Sequence, residues 1–188
     1  MTISIADIES LFAEKGGRQY MGEPVTQLEH ALQTAALATA AGASDTLIAA
    51  SLLHDLGHLL NNQGAHFGDT PSARGVDDLH QYYALPFLRK LFPDEVTGPI
   101  SLHVDAKRYL CATRDDYHAL LSPDSKRSLT LQGGVFSPHQ TAEFLTRRCC
   151  HDAVKLRLWD DAAKASGRPT PGLGDFTPLL HRVALKPA

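Results

Sequence analysis

The 188-residue chain reads as all-α, and three observations carry that reading. No stretch alternates apolar and polar residues with the two-residue period of a half-buried strand. Apolar residues at helical spacing recur along most of the chain, broken by Gly, Pro and Asn clusters, with no internal repeat. Thr26-Gln27-Leu28-Glu29 has the form of a capping box, in which a hydroxyl and a carboxylate three residues apart satisfy free backbone N–H groups, and it opens an alanine-rich run.

Residues 4 to 15 place Ile5, Ile8, Leu11 and Phe12 on one helical face, and Gly16-Gly17 stops the run. A turn-rich connector holds Tyr20 and Glu23. The helix after Thr26 carries His30 in its first turn and runs to about Ala41. Asp45 is the expected N-cap of a continuous helix bearing His54, Asp55 and His58. From Asn61 to Asp77 the pattern dissolves into a long loop, a length often associated with binding. A helix from Asp77 or Asp78 then carries His80, Tyr82, Tyr83 and Leu85, and Pro86 is expected to kink it. Pro93 suits the start of a helix carrying His103 and, one turn on, Lys107. Short helical segments follow at Tyr117 to Leu121, Ser125 to Leu131 and residues 138 to 150. Asp152 is the expected cap of a helix from Ala153 to Lys164, with Ala153, Leu156 and Asp160 on one side, and the last apolar stretch is Phe176 to Leu185.

The length suits one domain over residues 1–188, since no linker-like composition divides it. A net charge of -3, with both signs interspersed, leaves no footprint for nucleic acid or an anionic membrane. Acids at Asp7 and Glu9 stand where a signal peptide would be basic and then apolar, and no segment is long enough to span a bilayer. The three cysteines, Cys111, Cys149 and Cys150, have no CxxC spacing, which points to a reducing, cytoplasmic setting.

The segment from Ser51 to Leu60 concentrates the chemistry. Leu52, Leu53, Leu56 and Leu59 mark it as buried, yet it carries His54, Asp55 and His58. Buried ionisable groups cost several kcal/mol unless paired or bound to metal. Adding His30, His80, His103 and Asp160 gives six candidate ligands with His54 and Asp55, each near or on a predicted helix. Nitrogen and oxygen donors without thiolate suit iron, manganese, zinc or magnesium. Six are too many for one metal with an open position; two metals bridged by a central carboxylate, Asp55, use them economically. Lys107 shares a helical face with His103, and His58 lies one turn beyond His54.

The motifs Tyr20-x-x-Glu23, Gln27-Leu28-Glu29-His30, His54-Asp55-Leu56-Gly57-His58, His103-Val104-x-Ala106-Lys107-Arg108-Tyr109-Leu110, Gln132-Gly133-Gly134 and Lys155-Leu156-Arg157-x-Trp159-Asp160 resemble, in order and spacing, the HD-domain di-iron oxygenases of organophosphonate breakdown. The resemblance implies a single HD-domain helical bundle with a mixed-valence Fe(II)/Fe(III) pair that uses O2 to cleave a carbon–phosphorus bond. It implies His30, His54, Asp55 and Asp160 on one iron and Asp55, His80 and His103 on the other. It places Tyr20 as a gate at an iron, Glu23 as the sensor of a substrate ammonium, and His58, Lys107, Ser125, Ser128 and Gln132 around a phosphonate.

The implied substrate is a small 1-hydroxyphosphonate supplied by an upstream hydroxylase. One branch of the family acts on 2-amino-1-hydroxyethylphosphonate and yields glycine; another acts on the N-trimethyl analogue and yields glycine betaine. The loop departs from the primary-amine enzymes, and Phe67, Tyr82 and Tyr83 are aromatic candidates to meet a quaternary ammonium, which favours the trimethylated substrate. The ligand set alone also permits a two-metal phosphohydrolase. Inositol oxygenase has a longer chain and other motifs, and a vestigial regulatory module would not keep every ligand position.

Overall fold

The computed structural model describes residues 3–61 and 70–186, and every regular element among them is helical. Ser4 caps α1 (Ile5–Lys15) through a capping box with Asp7, and the helix buries Ile5, Ile8 and Phe12. The Thr26–Glu29 box forms as expected and opens α2 (Gln27–Ala40). Between α1 and α2 a single bridge pairs Gln19 with Thr26 and closes the connector that carries Tyr20 and Glu23.

Helix α3 (Asp45–Leu53) is buried from Leu47 onward on every side, which makes it the central helix. Its cap is Ser44, whose hydroxyl accepts from the Leu47 N–H, so Asp45 is the first helical residue and not the cap. The expected continuous helix is broken at His54-Asp55, where Asp55 takes φ -104° and ψ 12°, and α4 (Leu56–Leu60) restarts beyond it. Neighbouring residues on an unbroken helix diverge by about 100°. The break frees His54 and Asp55 to serve one centre together.

Beyond a 3-10 turn at Ser72–Arg74, α5 (His80–Tyr83) begins at His80 itself, later than Asp77 or Asp78. Pro86 sits in the first turn of a separate helix, α6 (Leu85–Leu88), so the expected kink is two short helices. Helix α7 (Asp94–Thr113) follows Pro93 and buries both His103 and Lys107. It is followed by α8 (Tyr117–Leu120), α9 (Pro123–Leu131) capped by Ser122, and α10 (Pro138–Thr146), which ends four residues short of the expected 150. Helix α11 (Cys150–Ala162) starts earlier than expected, after Cys149 in left-handed backbone; Asp152 lies in its first turn, bonded to Lys155 at 3.0 Å. Ala153, Leu156 and Asp160 are all buried along it, and α12 (Leu173–Val183) closes the chain.

Helices α2, α3, α7 and α11 pack in a ring: α7 lies along α11, α3 against α2 and α7, and α2 against α11. Ile8, Leu52, Leu53, Leu88, Ile100, Leu156 and Leu180 fill the main core, while Phe144 seals α10 against α7 and α11. None of the helices among the described residues is long and apolar enough to cross a membrane.

The contact between α4 and α5 depends on one glycine. A Cβ at Gly57 would come within 2.0 Å of the His80 carbonyl oxygen and 2.8 Å of its carbon, both backbone atoms. Gly57→Ala is therefore expected to push α5 away and cost about 1–3 kcal/mol, the range of overpacked cores. Thermal unfolding checks this, and an unchanged midpoint would refute it.

Candidate metal centre

The break after α3, the first turn of α2, the start of α5, the middle of α7 and the end of α11 all face one point. Asp55 stands there, 7% exposed, and its two oxygens look in different directions. Oδ2 lies 3.3 Å from His54 Nε2 and 3.6 Å from His30 Nε2. Those nitrogens are 3.2 Å apart, and Asp160 Oδ1 is 3.4 Å from His30 and 4.0 Å from His54. Oδ1 lies 3.4 Å from His80 Nε2 and 3.6 Å from His103 Nε2, which are 3.0 Å from each other. All six expected ligands are thus brought together in two sets that share Asp55.

The chemistry of these donors fits metal. Ligands about 2.0–2.2 Å from a common ion sit roughly 3 Å apart, which is the spacing seen. Each imidazole turns its other nitrogen to a fixed acceptor: His30 Nδ1 to the Ala163 carbonyl at 2.9 Å, His54 to Ser51 at 2.9 Å, His103 to Ile100 at 2.7 Å and His80 to the Asp78 carboxylate at 2.8 Å. Donation outward leaves every Nε2 with its lone pair directed inward, the orientation of a ligating histidine. Asp55 Oδ1 and Asp160 Oδ1 are buried without any hydrogen bond. Unmet carboxylate oxygens in a core call for a cation.

The electrostatics agree. Burial opposes ionisation of Asp55, yet the surrounding histidines, His54 foremost, hold its carboxyl well below the usual range. Burial likewise opposes charge on His54, but Asp55 overcomes it and lifts the imidazole to about 9, so a proton and a metal ion compete for the same Nε2 lone pair beside that carboxylate. His103 is pushed down, by burial and then by His80.

Two supports went unassigned in the sequence. Asp78 receives both His80 and His58, whose Nδ1 stands 2.9 Å from its Oδ2. Its carboxyl is held far below normal by His80 and His58 against the cost of burial. Leu79, between Asp78 and His80, has φ +50°, a left-handed backbone that a leucine adopts only under constraint. Arg157, 5% exposed, holds Asp160 Oδ2 at 2.8 Å and also reaches Asp161 and the Tyr117 hydroxyl. The available signals were Asp-x-His spacing for Asp78 and the i, i+3 relation to Asp160 for Arg157.

A cavity of about 60 Å³ opens onto this cluster. At ~10–15 Å³ per water, that is room for roughly four to six waters. Tyr20 lines it, stacked on the His30 ring at 3.8 Å, with burial and then Asp55 pushing its phenol far above the ordinary value. His58 stacks on His80 at 4.1 Å with Nε2 3.8 Å from Asp55 Oδ1; burial lowers its pKa, but Asp55 and Asp78 raise it further than that. Lys107, 2% exposed, donates to the Ser128 hydroxyl at 2.8 Å, and Ser125 and Gln132 line the same end. Glu23 lies at the wall with Oε1 buried and lacking a hydrogen bond.

The aromatic candidates fall elsewhere. Tyr82 and Tyr83 are 44% and 46% exposed and do not line the cavity; Tyr82 lies two residues beyond His80 and so on the opposite face of α5. Phe67 lies outside the described residues.

No protein-family model matches the chain. It is 36% identical over 179 residues to the (1-hydroxy-2-(trimethylamino)ethyl)phosphonate dioxygenase (glycine-betaine-forming) of Leisingera caerulea, covering 95% of this chain and 89% of that protein. It is 42% identical over 174 residues to the hydroxymethylphosphonate dioxygenase of Gimesia maris, covering 90% and 84%. An uncharacterized protein of Acanthamoeba polyphaga mimivirus is 34% identical over 180 residues, covering 94% and 80%. With ligand motifs, cavity and likeness along nearly the whole chain in agreement, the protein belongs to the family of phosphonate dioxygenases.

Proposed function

We propose that the protein uses O2 to cleave the carbon–phosphorus bond of 1-hydroxy-2-(trimethylammonio)ethylphosphonate, giving glycine betaine and phosphate. The observation that carries this is the shared Asp55, with two separate donor sets on its two oxygens, beside a cavity that ends at buried Lys107 and its partner Ser128. His30, His54, Asp160 and Asp55 would hold one ion, and His80, His103 and Asp55 the other. When bound there, an Fe(II)/Fe(III) pair would supply the redox activation of O2. Across the reaction the C–P bond breaks, C1 is oxidised to a carboxylate, phosphorus leaves as phosphate, and one proton is released. Both oxygen atoms of O2 are accounted for in the two products.

The chain's own groups divide the remaining work. Lys107, Ser128, Ser125 and Gln132 would bind the phosphonate; the orphaned Gln132 side-chain oxygen suits an amide whose N–H groups turn to the anion. His58, oriented by Asp78, would donate to a phosphonate oxygen. Tyr20 would cover the cluster until substrate arrives, and Glu23 would face the ammonium. The C1 hydroxyl requires an earlier hydroxylase, and the free cysteines suit a cytoplasmic setting. Glu23 Oε1, paired with Lys164 at 3.4 Å but without a hydrogen bond, favours a second reading, 2-amino-1-hydroxyethylphosphonate giving glycine, because a primary ammonium can donate a hydrogen bond there and a quaternary one cannot.

The deciding experiment offers both aminophosphonates to iron-loaded protein and follows oxygen uptake with phosphate release. Oxygen-dependent phosphate from either supports an oxygenase, and the preferred one settles the amine. Phosphate from neither, with a phosphate ester cleaved without oxygen, would establish a two-metal phosphohydrolase instead.

Asp78→Asn removes the charge that orients two imidazoles and is expected to weaken metal binding by roughly 10–100-fold, as loss of an outer hydrogen-bonding carboxylate does. Metal titration reads this directly. Burial brings Lys107 down to about 7. Its cation, needed by the phosphonate, is present below that pH and lost above it, so kcat/KM is expected to fall as pH rises through about 7. In Lys107→Met that alkaline limb should vanish, with kcat/KM well below the wild type under pH 7 and the gap closing above it; a limb that survives assigns it to another group. In Tyr20→Phe, oxygen consumption without substrate is expected to rise, and an unchanged background rate would count against the gate.

A further inference from the structure

Among the described residues, the lysines and arginines that line the cavity are Lys107, Arg157 and Lys164, and the first two have committed partners. Lys107 is bonded to Ser128, and Arg157 is shared between Asp160 and Asp161. The third, Lys164, follows α11 by two residues, and its Nζ stands 3.4 Å from Glu23 Oε1 and 5.9 Å from the centre of the Tyr20 ring. Glu23 Oε1 has no hydrogen bond, so the two charges face each other as an ion pair and no more. Both side chains are nearly covered, at 15% and 16% exposure, yet the lysine has a flexible four-carbon stem and a path to water.

The carboxylate and aromatic face that would receive a substrate ammonium are therefore already occupied by an ammonium of the protein. An incoming cation and Lys164 cannot both sit beside Glu23 without like-charge repulsion. A phosphonate that brings no cation meets the opposite situation, because without Lys164 it would leave Glu23 buried and uncompensated. We propose that Lys164 sets whether the substrate carries an ammonium: it stands in for that group at Glu23, swings out for a phosphonate that brings one, and stays for a phosphonate that does not. The pocket then holds 1-hydroxyphosphonates with or without an amine. This rests on the phosphonate reading of the site.

The test compares phosphate release from hydroxymethylphosphonate, 1-hydroxy-2-(trimethylammonio)ethylphosphonate and its primary-amine analogue, for the wild type, Lys164→Met, Lys164→Gln and Lys164→Arg. The neutral variants are expected to raise the kcat/KM ratio of ammonium-bearing to amine-free substrate by roughly tenfold, while Lys164→Arg stays within about twofold of the wild type. Calorimetric binding of two analogues lacking the C1 hydroxyl, methylphosphonate and 2-(trimethylammonio)ethylphosphonate, should show the same shift in affinity ratio. A ratio unmoved in a folded neutral variant, with the wild type active, overturns the role of Lys164 alone. No phosphate from any of the three with the wild type overturns the phosphonate reading, and this inference with it.

Discussion

A single buried carboxylate organises the molecule. Asp55 lies within 3.8 Å of the Nε2 atoms of five imidazoles, from His30, His54, His58, His80 and His103, and no hydrogen bond satisfies its Oδ1. Such a group destabilises a core unless compensating charge is delivered to it from several sides. The fold supplies that delivery. The central helix stops one residue short of His54, the chain turns at Asp55, and α4 leaves at a new angle against α5. A more regular helix would pack as well but would turn Asp55 about 100° away from His54.

An outer layer of acceptors does as much as the inner one. Backbone carbonyls at Ser51, Ile100 and Ala163 and the carboxylate of Asp78 each fix one ring. Two of those carbonyls lie three residues before the histidine they hold, within the same helical turn or at its end, so the sequence position of the histidine already sets its tautomer. Arg157 plays the corresponding part for Asp160, and because it also holds Asp161 and Tyr117 it fastens the last turn of α11 to α8. The geometry of His54, His103 and Asp160 is thereby tied to helix packing, while His80 depends on Asp78 in the segment just before α5.

That division explains what could be read from the sequence. Local signals were reliable: the Thr26–Glu29 box, the stop at Gly16 and the shared face of His103 and Lys107 all act within one helical turn. The six residues that cluster at Asp55 were legible as a group because histidines and acids on apolar faces have few other reasons to be there. The break at His54-Asp55 was hidden, since Leu52, Leu53, Leu56 and Leu59 continue a helical apolar pattern straight through it. Asp78 and Arg157 escaped assignment for a different reason. Each resembles a solvated charge until its partner is known, and much of what holds them, such as His58 for Asp78 and Tyr117 for Arg157, arrives from another part of the chain. Tyr82 and Tyr83 misled because aromatic composition near a loop says nothing of direction on a helix one turn long.

The cavity has two cationic ends of different character, and the difference has a physical consequence. Lys107 is sunk to 2% exposure and hydrogen-bonded, so its position is set before any ligand arrives. Lys164 is partly exposed, unbonded and opposed by Glu23, so its position is conditional. A fixed cation favours a group that every substrate shares, whereas a conditional one suits a group that varies. In the proposed reaction the phosphonate is the shared part and the amine the variable part, so an anion anchored at the Lys107 end would enter the same way whatever follows it. The cleaved bond joins C1 to that anchored phosphorus, which is why a rigid phosphonate end and an adaptable amine end can coexist without loss of aim at the carbon being oxidised.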